Sequence, residues 1–369
     1  MNEYFLLGRS GLRVSRLALG AMTFGTHWGW GADEATSRAM FDRYVAAGGN
    51  FFDTANAYTG GESERMLGRF IRETKMRDRA VITTKFAFGD DQGGPGANTG
   101  GNHRKNILRS LEASLRRLDT DYVDLYLMHF WDQMTSVEEV MRTLDDLVSS
   151  GKVRYFGFSN VPAWYVGRAQ TLAEWRGWEK VAALQLQYSL AERTIEHEFI
   201  PAAQELGIGI MVWSPLASGL LSGKYRPSAD GGTGDGRLQK MKNMGAVGAE
   251  RFNERNWSII AKLEEIAKKA GRSMSQVALN WAANRPGIDS LILGATKIEQ
   301  LEDNLAALEF KLAPELVAEL DAISKPPAPY PYFFFEPTMQ GRQYGGAAVG
   351  DKPDGYRRSV HIAPMEKPK

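Results

Sequence analysis

The chain has 369 residues, with 45 Lys+Arg against 44 Asp+Glu, a formal net charge of +1 and no cysteine. That length suits two average domains or one large α/β barrel, long enough to bury an ample core without staples. The balanced, dispersed charge argues against a nucleic-acid or anionic-membrane binder, and the missing cysteine excludes disulfides and zinc–thiolate sites. The start, Met1-Asn2-Glu3-Tyr4-Phe5-Leu6-Leu7, has neither a basic opening nor a long apolar run. With no stretch apolar enough to span a bilayer, the expectation is a soluble cytoplasmic protein.

In chain order, Leu6–Gly8 and Leu12–Ser15 flank Ser10-Gly11 and read as a hairpin. Short apolar runs then alternate with helical patterns. The strand candidates are Leu17–Gly20, Asn50–Asp53, Ala80–Lys85, Val123–Met128, Arg154–Ser159, Ala182–Gln185, Ile208–Trp213 and Ser290–Leu293. Most are what a parallel sheet buried on both faces requires. Between them, Ile107, Leu111, Leu115 and Leu118 share one helical face opposite Arg109, Glu112 and Arg116. Another helix is expected from Asn256 to Ala270, with Gly271 as its stop. Eight strand–helix units match a closed (β/α)8 TIM barrel of the α/β class; the competing architecture is a doubly wound open sheet. Asp90–Gly101 and Pro227–Gly236 are Gly-rich and read as loops. Residues 1–324 are read as the barrel and 325–369 as an irregular C-terminal tail, not another domain. The tail's rings, Tyr330, Tyr332, Phe333, Phe334 and Phe335, are expected to pack near the substrate face or at a subunit contact, unless the terminus is idle.

Chemistry concentrates at strand ends. Lys85 closes an apolar strand, so its ammonium should emerge at the C-terminal mouth of the barrel, where barrel enzymes place catalytic groups. Asp53 ends the preceding strand and offers the carboxylate a buried ammonium needs. Tyr58 follows in the next loop, where a nearby cation should lower the phenol's pKa. His129 ends the following strand and can orient a carbonyl oxygen by hydrogen bonding. Each has an ordinary alternative, a structural ion pair, a surface tyrosine or a core histidine. Their joint placement at one mouth favours proton transfer to a carbonyl oxygen.

The stretches Phe52-Asp53-Thr54-Ala55 with Tyr58, Thr83-Thr84-Lys85, Ser114-Leu115-Arg116-Arg117-Leu118, Asp121-Tyr122-Val123-Asp124 and Met128-His129 occur in that order. Gly157-Phe158-Ser159-Asn160, Gln185, Tyr188-Ser189, Trp213-Ser214-Pro215-Leu216 and the run from Gly219 to Tyr225 follow. From about Leu7 to about Ile323 the chain resembles the aldo-keto reductases. It is most similar to the branch that includes potassium-channel β-subunits, aryl-alcohol dehydrogenases and bacterial reductases. The resemblance implies a tetrad in which Tyr58 is the general acid, Lys85 lowers its pKa, Asp53 holds Lys85 and His129 positions the substrate oxygen. The channel subunits carry asparagine at the histidine position, so this chain resembles the enzymatic version.

Such a reaction needs a hydride donor, which no side chain supplies, so a nicotinamide cofactor is implied. No Gly-x-Gly-x-x-Gly follows any strand, and Gly219–Lys224 is one residue short of a Walker A loop. The resemblance implies an extended NAD(P) across the C-terminal face, starting from Gly20, Ala21, Met22 and Asp53. Ser159, Asn160 and Gln185 suit the carboxamide, and Trp213 suits stacking on the nicotinamide. Ser214, Pro215, Leu216, Ser218 and Lys224 would lie over the pyrophosphate. Gly294, Thr296, Lys297 and Gln300, with Asp303 and Asn304 a turn later, would meet the adenosine end and favour NADP over NAD. Thr296 as a helix N-cap and Lys297 as a solvated lysine are the ordinary alternatives. Trp28, Trp30, Phe86, Phe88, Phe130 and Trp131 are expected to wall an apolar substrate pocket.

The expected activity is NADPH-dependent reduction of a small-molecule aldehyde or ketone without a metal. The alternative is a cofactor-holding regulatory subunit with slow turnover. A metal-dependent hydrolase is disfavoured because the five histidines lack ligand spacing. No nucleic acid or membrane partner is expected, and an oligomer is compatible with the sequence.

Overall fold

Side chains alternate across a strand with period two, and that alternation gives the eight apolar runs two buried faces. The computed structural model describes residues 1, 3–89, 96–228, 231–234, 236–239, 249–343 and 345. Parts of three segments singled out above lie outside the described residues. They are 90–95 of the Asp90–Gly101 loop, 229, 230 and 235 of the Pro227–Gly236 loop, and 344 and 346–369 of the tail.

β1 (Tyr4–Leu6) and β2 (Arg13–Ser15) form the antiparallel N-terminal hairpin. β3 (Leu17–Gly20), β4 (Phe51–Asp53), β5 (Val81–Phe86), β6 (Val123–Met128), β7 (Val153–Ser159), β8 (Ala183–Gln187) and β9 (Gly209–Trp213) follow. A small antiparallel pair, β10 (Tyr225–Arg226) and β11 (Thr233–Gly234), precedes β12 (Ser290–Leu293). β3 to β9 and β12 close an all-parallel eight-stranded barrel, with β12 between β9 and β3. The open-sheet alternative is therefore excluded, and the barrel is the (β/α)8 fold the pattern predicts.

The helices are α1 (Glu34–Ala46), α2 (Glu62–Glu73), α3 (Arg104–Leu118), α4 (Val137–Ser149), α5 (Ala163–Arg176), α6 (Phe199–Leu206), α7 (Glu254–Ala270), α8 (Met274–Ala283), α9 (Ile298–Leu305), α10 (Pro314–Ser324) and α11 (Pro337–Gln343). α3 buries Ile107, Leu111, Leu115 and Leu118 and exposes Glu112 and Arg116, as its periodicity predicts. α7 starts two residues before the expected Asn256 because the Asn253 side chain accepts from Asn256 N. It stops at Gly271, whose φ of 63° ends the helix as expected.

Inward-facing Ala18, Phe51, Val81, Leu125, Leu127, Ala183, Met211 and Ile292 form an inner core, capped by Leu7 and Val14 of the hairpin. Outward-facing Leu17, Leu19, Phe52, Ile82, Tyr126 and Met128 belong to the larger core shared with the helices. The hairpin seats at the N-terminal end of the strands through Gly8, whose amide donates to Asp289 Oδ2 at 3.1 Å. Gly8 has φ +57° and lies so close to β9 that a Cβ would stand 2.4 Å from Gly209 N. That end is plugged, which leaves the C-terminal ends of the strands for a site.

The described part of the tail is more regular than expected: a short 3₁₀ turn (Tyr332–Phe335) leads into α11. Tyr332 docks, its ring 5.2 Å from His197 and its hydroxyl donating to Glu198 at 2.5 Å. Tyr330, Phe333, Phe334 and Phe335 stay exposed.

Candidate active site

The same parity that builds the inner core carries Asp53, two residues after Phe51, and Lys85, four after Val81, to the open mouth. Lys85 is wholly buried, and its Nζ donates to Asp53 Oδ2 at 2.8 Å, Thr54 O at 2.7 Å and Tyr58 Oη at 3.3 Å. Burial acts to lower the Lys85 pKa, but Asp53 and the Tyr58 oxygen outweigh it, and the net shift is upward. The lysine stays charged.

For Tyr58 the expected direction is corrected. Burial raises the phenol above its ordinary value, and this outweighs the opposing pull of Lys85, so the net shift is upward. The group is held as a protonated phenol. His129 follows β6, its amide donating to Phe86 O at 3.0 Å and its carbonyl accepting from Asn160 Nδ2 at 2.8 Å. Burial, then the Lys85 charge, push its pKa well below the ordinary histidine value, so the imidazole is neutral. Its ring lies 5.7 Å from that of Tyr58.

Rings surround this group. Trp28 packs edge-on to Tyr58 at 6.3 Å and against Trp30 at 5.5 Å, while Phe88 meets His129 at 5.0 Å and Phe130 at 4.5 Å. One expected pocket residue is placed elsewhere. Phe86, of opposite parity to Lys85, points outward and packs on Tyr126 at 4.9 Å with no exposed surface. Trp131 turns to Trp164 and Tyr165, at 5.4 and 5.9 Å.

Of the residues expected along the cofactor, Gly20, Ser159, Gln185 and Trp213 lie at or near the C-terminal ends of their strands, at the same mouth. Gly20 pairs in register with Asp53, and Thr23 Oγ1, just past Ala21 and Met22, donates to Ala295 O at 2.6 Å. That bond joins the loop after β3 to the Gly294–Lys297 loop. Gln185 uses its amide to donate to Asp53 Oδ1 at 2.7 Å, so both carboxylate oxygens are held. Ser159 Oγ donates to Gln185 O at 2.8 Å and accepts from Asn160 Nδ2 at 2.9 Å.

After Trp213, Ser214, Ala217, Ser218 and Gly219 all have positive φ, a conformation that persists only where surroundings impose it. Pro215 is buried within this turn, Leu216 is half-buried, and Ser214 Oγ accepts from Ser218 N at 2.8 Å. A Cβ on Gly219 would stand 2.9 Å from Lys224 Cε, so glycine lets that lysine fold back across the loop. Arg237, which the sequence reading missed, joins this rim: its guanidinium lies 5.0 Å from the Trp30 ring, and its charge acts on Tyr58. Nothing in the Gly-rich stretch around it marks that position.

At the far end, Gln300 Oε1 accepts from Thr296 N at 3.0 Å, and Lys297 rather than Thr296 is the N-cap of α9. Asp303 is drawn aside by the start of α8, accepting from Ser273 Oγ and Gln276 Nε2, each at 2.8 Å. Asn304 is buried.

The arrangement fits an extended dinucleotide on two counts. His129 Nδ1 and Trp213 Nε1 are buried without a hydrogen-bond partner among the described residues, and both sit at the mouth. Lys224 folds back over the strained loop at Gly219, and Arg237 lies on the Trp30 ring beside the mouth. Among the described residues no three histidine, aspartate or glutamate side chains gather as a metal cluster. No described helix is long and apolar enough to cross a membrane.

Comparison with known proteins agrees with this geometry. The Aldo/keto reductase family model matches residues 16–325. The chain is 35% identical over 342 residues to a norsolorinic acid reductase of Aspergillus flavus, covering 91% of this chain and 84% of that one. It is 38% identical over 330 residues to the uncharacterized oxidoreductase YrpG of Bacillus subtilis, covering 87% and 95%. It is also 36% identical over 331 residues to a probable voltage-gated potassium channel subunit beta of Oryza sativa subsp. japonica, covering 88% and 98%. With a matching model over most of its length and the tetrad residues gathered at one barrel mouth, this chain belongs to the aldo/keto reductase family.

Proposed function

We propose that this chain reduces aldehydes or ketones to alcohols with NADPH, and that Tyr58 gives the proton. The observation that carries the reading is the wholly buried Lys85, shared between Asp53 and the Tyr58 hydroxyl. A bound nicotinamide dinucleotide supplies the hydride. Tyr58, kept protonated by burial, donates to the carbonyl oxygen as charge develops on it. Lys85 stabilises the phenolate left behind, and Asp53, fixed by Gln185, keeps the lysine in place. Neutral His129 hydrogen-bonds the same substrate oxygen. The steps run in reverse for alcohol oxidation.

The rings of Trp28, Trp30, Phe88 and Phe130 favour bulky apolar carbonyl compounds. Thr296, Lys297 and Gln300, with Lys224 and Arg237 further in, favour a 2′-phosphate and hence NADP over NAD. The Aspergillus flavus relative's name describes a reductase, in keeping with this direction. The rice relative's name motivates the second reading, a cofactor-holding regulatory subunit. Following NADPH absorbance against a panel of aldehydes and ketones separates them. Turnover that Tyr58→Phe abolishes supports the reductase; tight NADPH binding with no turnover on any carbonyl supports the subunit.

A further inference from the structure

The turn that bears Tyr58 is strained. Thr59, Gly60 and Gly61 have φ of 49°, 64° and 83°, three left-handed residues in succession, and the first is β-branched. Packing does not hold the turn on every side, because Thr59 and Gly60 border a cavity of about 390 Å³ lined also by His27, Glu62 and Arg65. Strain of this kind persists only where the surroundings over-determine it.

Those surroundings are the first turn of α2. Thr59 Oγ1 donates to Phe24 O at 2.8 Å and accepts from Ser63 N at 3.1 Å. Ser63 Oγ donates to Ala21 O at 2.6 Å and lies 2.7 Å from Thr54 Oγ1, and the Thr54 carbonyl is the one that receives Lys85. Glu64 is wholly buried. Its Oε1 accepts from Thr84, the neighbour of Lys85, at 2.5 Å, and its Oε2 accepts from Arg117 Nε at 2.6 Å. Gly61 rests on that arginine so closely that a Cβ would stand 2.7 Å from Arg117 Cδ. A buried ion pair is a weak source of stability, since apolar residues of similar volume often serve as well. What this pair does provide is a fixed distance between α2, α3 and the strand that carries Lys85.

We propose that this cluster is a clamp that sets the position of the Tyr58 hydroxyl, with Thr59 and the Glu64–Arg117 pair as positioning residues. The proposal rests on Tyr58 being the general acid. Displacing a reacting group by about 1 Å costs on the order of 100-fold in rate, so a clamp outside the site is visible in the chemical step.

The test uses Thr59→Val, which removes the hydroxyl at constant shape, Thr59→Ser, which restores it, and the double variant E64Q/R117M, which leaves no charge buried alone. Each is made with and without 3-fluorotyrosine at position 58, and Tyr58→Phe is the control. Single-turnover reduction in Thr59→Val and the double variant is expected to fall roughly 10- to 100-fold, with cofactor Kd within about twofold of the parent. In the cofactor-free protein their fluorine resonance should shift or broaden, and Thr59→Ser should recover both rate and resonance. Parent-like rates and an unmoved resonance, with Tyr58→Phe inactive, overturn the clamp alone, even if thermal stability drops. Parent-like turnover in Tyr58→Phe removes the general-acid reading and the clamp with it.

Discussion

Lys85 is wholly buried, so its charge depends on the three oxygens around it. Tyr58→Phe keeps the ring and loses the proton. Turnover should fall by about 10²- to 10⁴-fold, the range for removing a general acid, while cofactor affinity by fluorescence titration stays near the parent's. The pH profile carries a second prediction. On the proposed mechanism reduction needs the protonated phenol, and a pKa raised above the ordinary tyrosine value keeps that proton on through neutral and mildly alkaline pH. Histidine's pKa is pushed the other way, well below its ordinary value, so His129 stays neutral as pH falls through the range where exposed histidine gains a proton. Reductive kcat/KM should therefore lack an inflection near pH 6.5, histidine's ordinary value, and decline only in an alkaline limb above about 10. A break near neutrality that His129→Asn abolishes would contradict this assignment.

At the scale of elements, strand parity explains what was legible. Leu17–Gly20, Val123–Met128 and Ser290–Leu293 are strands at the expected bounds, because short apolar runs between helical patterns have few other homes. Parity also places Asp53 and Lys85 together, and the same rule, not applied to Phe86, would have turned that ring outward. Asp303 was not legible. Its place on α9 fits an adenosine contact, yet two donors on the neighbouring helix, Ser273 and Gln276, take both its oxygens. Arg237 was hidden for a related reason: a hairpin of two-residue strands, β10 and β11, lies in the loop that leads to it, and so short a pair leaves no periodicity to read. Asp303→Ala accordingly tests an element rather than a ligand contact. It should lower stability by about 1–3 kcal/mol, the cost of stranding two hydrogen-bond donors at the start of α8. NADPH affinity should change little, and a large affinity loss at unchanged Tm would return Asp303 to the cofactor.

The described chain places its N-terminal hairpin and residues 325–343 on opposite faces. The N-terminal hairpin plugs one end of the barrel, while the tail reaches the other, anchoring on His197 and Glu198 in the loop between β8 and α6. On the proposed reading, cofactor choice is also a property of this face, since the cations concerned come from segments far apart in sequence. A charge-assisted phosphate contact contributes about 1.5–3 kcal/mol, so NADPH should bind at least about tenfold more tightly than NADH, and equal Kd values would overturn the preference. The tail supplies the last test. Ser324 is firmly held, its hydroxyl accepting from Arg193 and its carbonyl from Arg255, each at 2.7 Å. Beyond it, one docked ring at Tyr332 sits among rings that are largely exposed, Tyr330 at 80% and Phe335 at 57%. Few buried contacts of the described residues beyond Ser324 would be lost on truncation there, so Tm should move by no more than about 1–2 °C, equivalent to roughly 1 kcal/mol at about 2.1 cal/mol/K per residue. Exposed rings on the substrate face should instead act on binding, raising KM for bulky carbonyl compounds more than for small ones. An unchanged KM ratio with a smaller particle mass in solution would assign those rings to a contact between subunits.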